Sequence, residues 1–243
     1  MKKIPETDAI FDRLAQVNPA ADADETTLRL SVDAKATIPI GLFSRGGYSR
    51  LQIKAWDHDF NPKQKVTPVG VFLPQYDELY LFLITGPVTA DTIADCMAET
   101  WAMIAPRFPL IRTLLLNLDN GPENHSRRTQ FMKRLTQWAD ESQLTLELAY
   151  YPPYHSKYNP VERVWGVLEQ HGNGRLLDSI KTILKLAKTM TYNRVYPVVK
   201  QINKTYHTGA KLTQKAMAEL EQRLERLPNL EKYFVRIPPV PVG

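Results

Sequence analysis

The chain has 243 residues, 43% of them hydrophobic and 23% charged, which is the balance of a folded globular chain and excludes a disordered or fibrous one. Lys and Arg number 31 against 26 Asp and Glu, a net charge of +5, so a polyanionic partner is compatible with the surface. The single cysteine, Cys96, excludes an internal disulfide and any multi-cysteine zinc site and fits a reducing compartment. No apolar run is long enough to span a bilayer, and the first residues lack the apolar centre of a signal peptide, so the expected setting is the cytoplasm, with no membrane partner.

Residues 1–25 are polar and rich in Ala and Asp, with weak helical character near Ile10 to Val17; they read as a leader or linker remnant. Apolar and polar residues then alternate from Thr26 to Asp33, which predicts a strand with Asp33 at or near its end. A flexible turn follows at Ser44 to Tyr48, and then the conspicuous Trp56-Asp57-His58-Asp59-Phe60. Residues 66–73 and 79–84 are β-rich and separated by a turn, so they predict an antiparallel hairpin. Thr89 is placed to cap a helix running to about Ala105, with Ile93, Met97, Trp101 and Ile104 at helical spacing and Cys96 toward the core.

Residues 110–118 predict a central strand ending at Asp119, followed by turn residues. The C-terminal end of a buried strand is where open α/β sheets place ligand and catalytic groups. A helix over residues 126–142 buries Phe131, Leu135 and Trp138, and Arg127, Arg128, Lys133 and Arg134 make part of it basic. The next strand, residues 144–149, runs into Tyr150-Tyr151-Pro152-Pro153, whose prolines cannot donate to a sheet ladder and end it. Asn159 is a good N-cap and Pro160 suits the first helical position, which mounts Glu162 in the first turn of a helix. Further helices are expected near residues 176–190 and 213–227, and the proline-rich tail holds no regular structure.

Three strands as a meander and then an alternating part predict a mixed sheet covered by helices. In such a sheet the first strand lies beside the fourth, so Asp33 and Asp119 meet at one end, and the later helix brings Glu162 there. Clustered carboxylates repel one another unless cations bind, and an all-oxygen site suits Mg²⁺. Two such ions about 3.5–4 Å apart stabilise both the attacking and the leaving oxygen of a phosphoryl displacement. The pattern therefore points to a metal-dependent phosphodiester enzyme, with the basic helix suited to a phosphate backbone.

The stretches Asp119-Asn120-Gly121-Pro122-Glu123-Asn124-His125 and Tyr150-Tyr151-Pro152-Pro153-Tyr154-His155-Ser156-Lys157-Tyr158-Asn159-Pro160-Val161-Glu162-Arg163-Val164-Trp165 resemble the second and third signatures of the DDE transposases, most strongly those of mariner-related bacterial insertion sequences. Ser31-Val32-Asp33-Ala34-Lys35 is similar to the first catalytic strand, and the likeness runs from about Leu28 to Leu177. The resemblance implies an α/β, RNase H-like fold with a mixed five-stranded sheet flanked by helices and extra C-terminal helices. It implies a catalytic triad of Asp33, Asp119 and Glu162 as ligands of two Mg²⁺ ions, with Mn²⁺ as a substitute. It implies hydrolysis of a DNA strand at an element end, attack of the freed 3′ hydroxyl on target DNA, and assembly as a homodimer on paired ends. Complete relatives carry N-terminal helix-turn-helix modules. Only about 25 residues precede the first catalytic strand, too few for such a module, which leaves three alternatives: a catalytic fragment, one of two partner products with a separate helix-turn-helix polypeptide, or a decayed or repurposed copy. The expected domains are the leader at 1–25, a catalytic domain at 26–190 and a C-terminal helical extension and tail at 191–243.

Rival readings stand beside these. Asp57 or Asp59 competes with Asp33 for the role of first carboxylate, and His58 finds no partner at zinc-ligand spacing. Glu162 is also an ordinary helix-capping residue, and Glu169 lies on nearly the same helical face. Of Glu123 and His125, one is expected to support Asp119 and the other to be exposed. Trp165 is expected in the core, with base stacking as the alternative. Arg127, Arg128, Lys157 and Arg163 are candidate DNA contacts or simply solvated charges. The whole-chain alternatives are an RNase H-like nuclease or resolvase, and a catalytically silent DNA-binding remnant.

Overall fold

The computed structural model describes residues 2–41 and 64–241. Asp57, His58 and Asp59 lie outside the described residues, as does the turn at 44–48. In chain order the elements are α1 (Thr7–Ala23), β1 (Thr27–Ala34), β2 (Ile38–Ile40), β3 (Gln64–Leu73), β4 (Glu78–Ile84), α2 (Ala90–Ile104), β5 (Thr113–Leu118), α3 (Thr129–Ser142), β6 (Thr145–Tyr150), α4 (Val161–Gly172), α5 (Ile180–Thr189), β7 (Val198–Ile202), α6 (Gln214–Glu221), β8 (Glu225–Arg226) and β9 (Phe234–Ile237).

The middle of the sheet is the expected five strands in the order β4-β3-β1-β5-β6. The pairs β1–β3 and β3–β4 are antiparallel, whereas β1–β5 and β5–β6 are parallel, as a meander followed by crossover helices requires. The hairpin turn between β3 and β4 carries Asp77 at φ 55, a left-handed position that Asp tolerates better than most residues. Thr89 caps α2 in a reciprocal box with Thr92, so the helix starts where its sequence signal lies.

Strand alternation separates the two faces. On β4, Tyr80, Phe82 and Ile84 enter one core cluster while Leu79, Leu81 and Leu83 enter the other, so both faces are covered. On β1, Leu28, Leu30 and Val32 share the larger core with Met97 of α2 and Phe131 of α3. Ser31 and Asp33 therefore point to the opposite face, where α4 lies.

Both ends of the chain depart from expectation. The supposed polar leader is the 17-residue helix α1, with Ile10 and Leu14 fully or almost fully buried in the main core. Its seat on the sheet is polar as well as apolar: Arg29 pairs with Asp22 at 2.5 Å, and Asn117 Nδ2 donates to Asn18 Oδ1 at 2.9 Å. The apolar face of α1 is narrow and Pro19 interrupts its sequence pattern, which is why the helix reads so weakly. The C-terminal region is not only helical. β7 extends the sheet parallel to β4, and β9 extends it antiparallel to β6, with β8 outermost. Helix α6 stops at Glu221, and Leu224 enters the core from beyond it. These added strands are short, so their pattern is too brief to separate from loop. No helix among the described residues is long and apolar enough to cross a membrane.

Candidate active site

β1 and β5 run parallel with Val32 opposite Leu118. The next pair in register is Asp33 and Asp119, so two carboxylates leave adjacent strand ends. Neighbouring strands are about 4.8 Å apart.

Helix α4 is fastened to β1 directly. Ser31 Oγ accepts from the backbone N–H of Val161 at 2.9 Å and donates to Asn159 Oδ1 at 2.5 Å. Asn159 Nδ2 donates to the carbonyl of Val32 at 3.1 Å. Asn159 thus does not cap α4 with its side chain as expected; it clamps the helix start to the strand, and Ser31 satisfies a free helix N–H from another element. The consequence is a short stiff path from Asp33 through Ser31 to the first turn that bears Glu162. Glu162 makes no capping bond, so the ordinary capping reading of this residue fails, and its half-buried carboxylate has no hydrogen-bond partner among the described residues.

Trp165 is only 2% exposed, in the core formed with α5, so base stacking is ruled out for it in this arrangement. Its indole Nε1 instead donates to Asp33 Oδ2 at 2.8 Å. The indole reaches Asp33 by lying across Gly70, which is opposite Asp33 in the β1–β3 ladder. A Cβ at position 70 would stand 2.6 Å from the ring, so only glycine leaves this passage open.

Asp119 is held from its own loop. Asn124 Nδ2 donates to Asp119 Oδ1 at 2.6 Å, and the Asn124 carbonyl accepts from the Tyr150 hydroxyl at 2.6 Å. The Asn124 side-chain oxygen is buried with no partner among the described residues. Gly121 permits the tight turn, because a Cβ there would come within 2.9 Å of that oxygen. Burial, and next the charge of Asp119, push the Tyr150 hydroxyl far above its usual range, so it stays a donor.

Both other carboxylates act on Asp33. Asp33 is pushed up to about 6, first by burial, then by the Asp119 charge; the Trp165 hydrogen bond opposes this, and Glu162 adds to it. Oxygen-only donors that repel one another suit a hard divalent cation. The spacing is nevertheless open: among the described residues, no group of three or more His, Cys, Asp or Glu is placed to enclose a metal ion. The donor chemistry fits such an ion, and a shell completed by water and substrate oxygens is the form that fits this spacing.

The remaining candidates divide. Of Glu123 and His125 neither is exposed and neither bonds to Asp119: Glu123 pairs with Arg128 at 3.1 Å and accepts from the Ala90 N–H at the start of α2. Arg128 is thereby partly neutralised, as is Arg134 by Asp91 and Asp95. Burial first, and then Arg127 and Arg128, lower the His125 pKa, favouring the neutral ring. Arg127 and Arg163 are exposed, and the Lys157 ammonium stands 5.1 Å from the Tyr158 ring centroid. Glu169 is engaged by Lys35 at 2.5 Å, away from the role of a spare catalytic carboxylate. The sequence reading missed Ser31, Gly70 and Asn124. Closeness to Asp33 and Asp119 along the chain could have signalled Ser31 and Asn124, and nothing local signalled Gly70.

A family model described as the Rhodopirellula transposase DDE domain matches residues 1–239. Among solved structures, the chain is similar to the Mos1 mariner paired end complex with Mn, at a TM-score of 0.52 and 8% identity over 76% of this chain and 54% of that one. It is also similar to the Mos1 transposase paired-end complex with left transposon end, at a TM-score of 0.51 and 10% identity over 76% of this chain and 56% of that one. The chain spans about half the length of these proteins, and at such identities the likeness is one of fold. A search of curated proteins finds no match. With an RNase H-like mixed sheet and a family match over nearly its whole length, the chain belongs to the DDE transposase domains.

Proposed function

We propose that this chain is a catalytic domain that cleaves a DNA strand at the end of a mobile element and joins it to target DNA. Asp33, Asp119 and Glu162 are the catalytic residues in this reading and would hold two Mg²⁺ ions, or Mn²⁺ in their place. The observation that carries it is the register of β1 on β5, which sets Asp33 beside Asp119, with the Asp33 proton affinity raised by both other carboxylates.

When bound, the ions supply charge for the reacting phosphate and an activated oxygen nucleophile. The chain's own contribution is placement. Trp165 orients one oxygen of Asp33, Asn124 orients one of Asp119, and the Ser31–Asn159 clamp sets Glu162. In hydrolysis, water bonds to phosphorus, the P–O3′ bond breaks, and the 3′ oxygen takes a proton. In joining, that 3′ oxygen gives up its proton and bonds to a target phosphorus, and the target 3′ oxygen leaves and takes a proton, so one phosphodiester is exchanged for another. Arg127, Arg128, Lys157 and Arg163 are proposed DNA contacts, with Arg128 the weakest because Glu123 already engages it. A homodimer on paired ends completes the proposed assembly.

The open spacing of the carboxylates favours a second reading, a catalytically silent DNA-binding relative. The test is incubation of purified protein with labelled element-end DNA and Mg²⁺ or Mn²⁺. Nicking followed by strand joining supports the transposase reading; nicking without joining points to a nuclease or resolvase. Salt-sensitive binding with no metal-dependent cleavage supports the silent reading.

A further inference from the structure

A cavity of about 440 Å³ opens beside Asp119. Three separate stretches wall it: the loop after β5 with Arg127, the loop after β6 with Pro153 and Tyr154, and the turn before β9 with Lys232 and Tyr233. The third wall is fixed in place. Ser126 Oγ donates to the Lys232 carbonyl at 2.7 Å, and the Tyr150 N–H donates to the Tyr233 carbonyl at 2.9 Å. A segment near the end of the chain is thereby bonded to the loop after β5 and to the last residue of β6, at the proposed catalytic end of the sheet.

The charges and rings of this cavity are uneven in an informative way. Arg127 and Lys232 are exposed and have no ion-pair partner among the described residues, in contrast to Arg128 and Arg134 nearby. Asp119 is the only acidic group lining the cavity among the described residues. Tyr154 is 61% exposed and sits at φ 67, a left-handed position costly for a bulky side chain. The Lys2 ammonium lies 5.0 Å from its ring centroid, adding a third cation at this edge. An aromatic wall held outward at conformational cost beside unneutralised cations is the surface that a nucleic-acid strand uses.

We propose that this cavity binds the sugar–phosphate backbone of a DNA strand, with Arg127 and Lys232 as phosphate ligands and Tyr154 as the face against which sugar or base rests. The inference rests on the proposed DNA chemistry of the adjoining carboxylates and adds to it a site supplied by the turn before β9. Lys232 and Tyr154 are binding residues here, not catalytic ones.

Anisotropy of a fluorescein-labelled, mixed-sequence DNA duplex with the full chain in EDTA reads the pocket without cleavage. Lys232→Gln and Arg127→Gln are each expected to weaken binding about five-fold near 0.15 M salt and to reduce the slope of log K against log salt by about 1. Tyr154→Gly is expected to raise the thermal midpoint while weakening binding, because it relieves the left-handed position and removes the wall. Inorganic phosphate at matched ionic strength is expected not to displace the duplex. Unchanged affinity and slope in both charge variants, with unchanged thermal midpoints, overturn the pocket. So does a Tyr154→Gly variant that loses stability and binding together, and so does displacement by low millimolar phosphate, which marks a small-anion site. Absence of metal-dependent cleavage by the unaltered chain defeats the catalytic reading and leaves these binding outcomes interpretable.

Discussion

At the scale of single residues, Asp33 carries the most information. Burial first, and then the neighbouring carboxylates, keep it protonated to about pH 6, against 3.8 for an ordinary aspartate. Between those values the native state holds more protons than the unfolded state, so stability falls as pH rises. In metal-free protein the loss from about pH 4 to about pH 6 is expected to be about 2 kcal/mol. It should vanish in Asp33→Asn, as urea midpoints across that range will show; equal slopes in the two proteins would contradict the assigned burial. Trp165 holds the same carboxylate through one 2.8 Å bond. Trp165→Phe keeps most of the ring and removes the donor, and turnover with Mg²⁺ is expected to fall at least ten-fold, as for other residues that orient metal ligands. A loss confined to thermal stability would make the indole a packing residue only.

At the scale of elements, the junction of β1 with α4 joins two parts of the chain through Ser31 and Asn159, far apart in sequence. Asn159→Ala removes two side-chain bonds and leaves the Ser31 hydroxyl less satisfied. The expected cost is about 1–3 kcal/mol of stability in denaturant titration. Gly70→Ala tests the passage between β3 and α4. Its Cβ would meet the Trp165 ring at 2.6 Å, so the indole must move, and about 1–3 kcal/mol is expected to be lost. This junction also marks the limit of what the sequence discloses. Strand alternation and caps are local, so β1, the β3–β4 hairpin, α2 and the start of α4 were readable from it. The partner of Asn159 is not local: its side chain is a good cap by type, but a strand serine offered a better bond. Nothing in the β-rich run at 66–73 distinguishes Gly70, because what it makes room for lies on a helix much later in the chain.

At the scale of the whole molecule, the five central strands followed from the order of apolar runs, and the two ends did not. α1 carries too few apolar residues in its pattern to announce a core helix, yet Ile10 is fully buried. Ile10→Ala is expected to cost about 2–5 kcal/mol in chemical denaturation, whereas a detached leader would show no change. β7 and β9 are recognisable only once β4 and β6 offer edges for pairing. The addition of β9 carries Lys232 and Tyr233 beside Asp119, so one cavity joins an acidic residue from the middle of the chain to a basic one from near its end. The most direct test of the central claim is cleavage of labelled element-end DNA by the unaltered chain and by Asp119→Asn, each with Mg²⁺ and with EDTA. The account predicts cleavage by the unaltered chain with Mg²⁺ alone and a loss of at least a thousand-fold in the folded Asp119→Asn variant. Equal cleavage by the two proteins, or cleavage that persists in EDTA, would contradict it.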